Sequence, residues 1–143
     1  MSLIAPAYLD RMFSERDEAS LTLLSSVICG AQAFDRGHAT YGLPSSLFLF
    51  VEGLLWFAQS WRSGSWTYFE ATPLERQQAM LEELRTHAPK GWADQYAFGM
   101  RHWQDTERLS ALDTWLEGRD KANSEFLWDH LAQYRAILEE TLG

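Results

Sequence analysis

The chain has 143 residues, 20 Asp+Glu against 12 Lys+Arg, and a formal net charge of −8. Hydrophobic residues make up 46% and aromatics 14%, with seven tryptophans. The length fits one domain and excludes a barrel enzyme. The aromatic content excludes intrinsic disorder, and the acid excess argues against direct nucleic-acid binding, which needs a basic patch.

Apolar spacing of about 3.6 residues recurs along the whole sequence, and period-2 alternation is sustained nowhere. In chain order, Tyr8, Leu9, Met12 and Phe13 predict a short helix after Pro6. Leu21, Leu24, Ile28 and Ala31 give the stripe of a second helix, from about Glu18 to Phe34. A polar, glycine-containing connection follows, from Asp35 to Pro44. The next helix, about 46–61, is apolar on nearly every side and is expected to be the buried centre of the domain. Arg62-Ser63-Gly64-Ser65 forms a loop leading into Trp66-Thr67-Tyr68-Phe69-Glu70. Thr72-Pro73-Leu74-Glu75 reads as a capping box, with Thr72 as the cap and Pro73 first in the helix. That helix runs to about His87. Others span about Gly91 to Gln104, about Glu107 to Gly118, and from Asn123 or Ser124 to Leu142. The expected fold is all-α: a single compact domain over residues 1–143, of about seven helices around the 46–61 helix.

Cys29 is the single cysteine, so no intramolecular disulfide can form. It lies in an apolar run without a neighbouring cation and reads as a small core residue rather than a nucleophile. The four histidines are dispersed, no Cys pair exists, and no phosphate-binding or nucleophile motif occurs. No cofactor and no metal are therefore expected. The start of the chain has no basic segment followed by an apolar one, and the longest apolar stretch, Leu47 to Ala58, contains Glu52 and is too short for a membrane span. The expectation is a cytoplasmic protein with no membrane partner.

Two features carry functional readings. The first is the charge distribution: residues 94–143 hold ten acids and five bases. Acids recur on the outer faces of the last two predicted helices, with Asp113, Glu117, Asp120, Glu125 and Asp129 as the candidate contact residues. Such a face either keeps the protein soluble or attracts a basic partner. The second is Glu52, a carboxylate inside an apolar helix, in line with Gln59 one stretch on. It reads either as a group that faces solvent or pairs with an arginine such as Arg62 or Arg101, or as the acid/base residue of a small-ligand or enzyme pocket. That pocket would include Arg62, Trp66 and the Arg36–Tyr41 loop.

Glu52-Gly53-Leu54-Leu55-Trp56-Phe57, Ser63-Gly64-Ser65-Trp66-Thr67-Tyr68-Phe69-Glu70 and Leu81-Glu82-Glu83-Leu84, with Leu109-Ser110-Ala111-Leu112-Asp113 before Trp115, together resemble the acidic DNA-mimic protein family of bacteria. Arg62-Ser63-Gly64 stands where that family has Asn-Gly-Gly. The resemblance covers about residues 46–135. It implies a small all-helical, non-enzymatic protein whose carboxylates imitate DNA phosphates and occupy a DNA-binding protein, with relatives that look like components of toxin–immunity systems. The expected function is thus an acidic interaction protein that binds and inhibits a basic partner, either a DNA-binding regulator or, as an immunity protein, a bacterial toxin. A homodimer is compatible with this reading.

Overall fold

The computed structural model describes residues 2–143, and among them it is all-helical, with nine helices and no strands. The helices are α1 (Pro6–Glu15), α2 (Glu18–Cys29), α3 (Ser45–Ser63), α4 (Ser65–Ala71), α5 (Leu74–His87), α6 (Lys90–His102), α7 (Thr106–Glu117), α8 (Asp120–Gln133) and α9 (Arg135–Leu142). No helix of the described residues is long and apolar enough to cross a membrane. The chain packs as two compact units: residues up to Leu54 together with Lys121–Gly143, and residues Leu55–Asp120. The division falls inside α3.

In the first unit, Pro6 starts α1 at a position where no N–H is needed, and Arg16 ends it in the left-handed region at φ 52°. Asp17 caps α2 by accepting the Ser20 amide at 2.7 Å. The α2 stripe buries Leu21, Leu24 and Ile28, but the helix stops at Cys29 instead of running on to Phe34. Gly30 follows, and the chain turns through residues 31–43. In that turn Asp35 accepts the Gly37 amide at 2.9 Å and its own amide donates to the Tyr41 carbonyl at 2.9 Å. Residues Ser46 to Gly53 of α3 are buried on every side. His130 of α8 reaches the start of this helix, where its Nε2 donates to the Ser46 carbonyl at 2.8 Å. The carbonyl can only accept, so this nitrogen carries the proton. Arg16 pairs with Asp129 at 2.7 Å, and Arg135 pairs with both Asp10 and Glu139, which ties α1 to α8 and α9.

The second unit is built on aromatics. Trp56, Phe57, Trp92, Tyr96 and Trp115 form a contiguous set of edge-on and stacked rings with centroids 5.0–6.4 Å apart. Such geometry adds to the burial of their large surfaces. The Arg119 guanidinium lies 4.7 Å over the Trp115 ring and covers one end of the set. On α6, Trp92, Tyr96 and Gly99 recur at helical spacing and are core, while Trp103 is half-buried. Gly99 lets α4 approach α6. A Cβ on Gly99 would lie 2.2 Å from Cε2 of Phe69 and 3.0 Å from Cδ2 of Leu112.

Four further sequence expectations change. The α3 helix is buried all round only in its first half, because Leu55, Ala58, Trp61 and Arg62 are exposed along one face of the second half. Trp66–Glu70 is part of a helix, α4. The capping box does not form: Pro73 stands at the cap of α5, and the Thr72 hydroxyl donates instead to the Tyr68 carbonyl at 2.6 Å, closing α4. The last predicted helix is two, divided at Tyr134, whose backbone (φ −109°, ψ 26°) leaves the helical region.

Candidate functional site

The five candidate contact acids fall in both units, with Asp113, Glu117 and Asp120 in the second and Glu125 and Asp129 in the first. They have different surroundings. Asp113 is half-buried on α7, and its Oδ1 accepts the amide of Ser65 at 2.9 Å, so this carboxylate satisfies an otherwise orphaned donor at the first residue of α4. Asp129 is exposed but engaged by Arg16. Glu117, Asp120 and Glu125 are exposed, and among the described residues no cation lies within ion-pair distance of them. Glu125 and Asp129 border a shallow cleft of about 370 Å³ that Arg16 and Lys121 also line, so charge there is balanced. The second unit is also net negative, since Leu55–Asp120 carries ten acids and seven bases.

The residues expected around a ligand pocket fall in both units. Glu52 is fully buried in the first unit, where the Tyr41 hydroxyl donates to its Oε1 at 2.5 Å. Glu52 does not face solvent. Gln59, expected to continue the same polar line, instead donates to the Thr67 hydroxyl at 3.2 Å. Tyr41 is itself buried, stacked on Phe34 with centroids 4.7 Å apart, and held in the left-handed region at φ 58°. Glu52 therefore fastens the 34–43 turn to the helix. Arg62 and Trp66 lie in the second unit, and both are exposed.

Cys29 is half-buried, and burial pushes its thiol above the ordinary value, opposed by a hydrogen bond from Ser25 and by Arg36. No group of three or more His, Cys, Asp or Glu side chains among the described residues is arranged to hold a metal ion.

Sequence reasoning missed the most exposed aromatic residue. Trp61 is 69% exposed, and Leu55 and Trp66 are each 42% exposed. A helix apolar on every side reads as buried, which hid Trp61. The pertinent signal was the number of tryptophans, more than one small core readily absorbs.

No protein-family model matches the chain, and no match was found among curated proteins or solved structures.

Proposed function

We propose that the chain is a non-enzymatic acidic interaction protein that binds and inhibits a basic protein partner, a DNA-binding regulator whose DNA site it blocks. The observation that carries this reading is the set of exposed carboxylates Glu117, Asp120 and Glu125, with no paired cation among the described residues. An unpaired surface carboxylate costs little to bring to a cation on a partner, because no internal ion pair must first be broken. It also accelerates encounter with a basic surface. Asp113 and Asp129 contribute field rather than contact, since each already has a partner. A blocker of a DNA-binding regulator acts in the cytoplasm, where we place this protein.

Affinity capture from native lysate at low and high salt, with wild type beside a Glu117→Lys/Asp120→Lys variant, tests the proposal. The expected result is a basic protein retained at low salt by the wild type, released at high salt and not retained by the variant. Retention by both proteins at both salt concentrations would refute it. A captured toxin in place of a regulator would assign the immunity role.

A further inference from the structure

We infer that Trp61, Trp66 and the acids beside them form one docking surface on the second unit, for a partner segment that carries an apolar side chain flanked by Arg or Lys. The inference rests on the proposed function and specifies what the partner must present. Isolated exposed hydrophobic residues are common on soluble proteins. Here the exposure is concentrated: Leu55, Ala58, Trp61 and Arg62 lie on one face of α3, and Trp66 follows directly across Gly64.

The junction that presents the two indoles is held rigidly. Gly64 takes φ +88°, which L side chains rarely adopt, and its amide donates to the Ser60 carbonyl at 2.9 Å. The Thr67 hydroxyl donates to the Gly64 carbonyl at 2.7 Å, and Gln59 donates to that hydroxyl at 3.2 Å. Binding there would order little additional backbone, which favours affinity. Tryptophan is also the residue type most enriched among interface positions that dominate binding energy.

Charge complementarity sets the occupant. The bond from the Ser65 amide to Asp113 fixes α7 against the start of α4, one residue from Trp66. Glu117 stands one helical turn beyond Asp113, and Glu70 stands one turn beyond Trp66 on α4; both are exposed. The α4 and α7 helices thus each offer an exposed carboxylate one turn from this junction. Arg62 is exposed beside Trp61 on the α3 side. A partner cation is drawn toward Glu70 and Glu117 and away from Arg62, so the surface also has a polarity.

Three synthetic probes of equal length test this by isothermal titration: an amphipathic Leu/Lys helical peptide, an oligolysine and a Leu/Glu peptide. Wild type is compared with Trp61→Ala, Trp66→Ala, Glu70→Lys/Glu117→Lys and Arg62→Glu, each checked for helicity by circular dichroism. The expected result is tightest binding of the Leu/Lys peptide. Each Trp variant should weaken it on the order of tenfold. The double Lys variant should weaken it too, and Arg62→Glu should strengthen it. Lys peptides that bind the Trp variants as well as wild type would overturn the docking surface while leaving the acidic reading intact. Failure of both Lys peptides to bind at low salt would overturn the acidic reading and the surface with it. Sedimentation showing a dimer that Trp61→Ala dissociates would assign the patch to a second copy of the chain and overturn the inference.

Discussion

Tyr41 and Glu52 are joined by a 2.5 Å hydrogen bond inside the first unit, with Glu52 fully buried and Tyr41 held at a backbone angle that favours glycine. Left-handed backbone costs a β-carbon residue roughly 1–2 kcal/mol. The conformation persists because the surrounding turn supports it: the Asp35 amide donates to the Tyr41 carbonyl at 2.9 Å, and the Tyr41 amide donates to the His38 carbonyl at 3.0 Å. Removing the hydroxyl takes a donor from a carboxyl that water does not reach. Tyr41→Phe should cost about 1–3 kcal/mol. Urea unfolding of Tyr41→Phe, Glu52→Gln and the double variant should give a clear coupling energy. Additive effects would show that the bond contributes nothing to stability.

Gly99 gives the most direct test of packing in the second unit. An added methyl group would meet the Phe69 ring at 2.2 Å, and the ring is itself buried. Gly99→Ala gains helix propensity but overpacks, so a net loss of ~1–3 kcal/mol is expected in thermal unfolding. Phe69→Leu in the same chain should recover part of it, because the smaller side chain vacates that contact. A more stable Gly99→Ala protein would contradict the packing of α4 on α6.

Glu83 sets a pH dependence with a defined sign. Burial raises its pKa above 4.5, partly offset by His87 3.6 Å away. A carboxyl with a raised folded pKa contributes stability that is fully present below 4.5 and is lost as pH rises through the folded value. Glu83→Gln should therefore raise the melting temperature slightly at neutral pH and have no such benefit in acid. Asp17 works in the opposite direction: its hydrogen bonds from Ser20 lower its pKa below 3.8, so its capping contribution disappears as pH falls through that lowered value. Melting curves of Glu83→Gln and Asp17→Ala across acid and neutral pH separate the two effects.

Cys29 should alkylate slowly. Burial holds its thiol above 9.0, and the Glu52 carboxylate adds to that shift in the presence of opposing Arg36. The thiolate is the reactive form, so the rate with iodoacetamide should continue to rise with pH beyond the range where free cysteine levels off. Rapid labelling at neutral pH would contradict the burial of this residue.

Much of the fold is legible in the sequence because helical periodicity is a local property. The stripes Leu21–Leu24–Ile28 and Trp92–Tyr96–Gly99 predict buried faces that the structure contains. What failed depended on partners distant in sequence, or on competing local bonds. Thr72 has the chemistry of a cap, but the Tyr68 carbonyl takes its hydroxyl. The break at Tyr134 carries neither Gly nor Pro, so the apolar spacing from Phe126 to Leu142 reads as one helix. Asp113 looks like its acidic neighbours until the chain returns Ser65 to it from 48 residues away. Trp61 is hidden by the same uniform apolarity that makes the first half of α3 core.

Exposed carboxylates on this protein are proposed to recruit a basic partner. The salt dependence of binding to an oligolysine probe measures it most directly. Affinity should fall steeply as ionic strength rises and the Debye length contracts to about 8–10 Å, and Glu117→Lys/Asp120→Lys should remove most of the low-salt binding. Binding that is independent of salt, or equal in the charge-reversed variant, would contradict it.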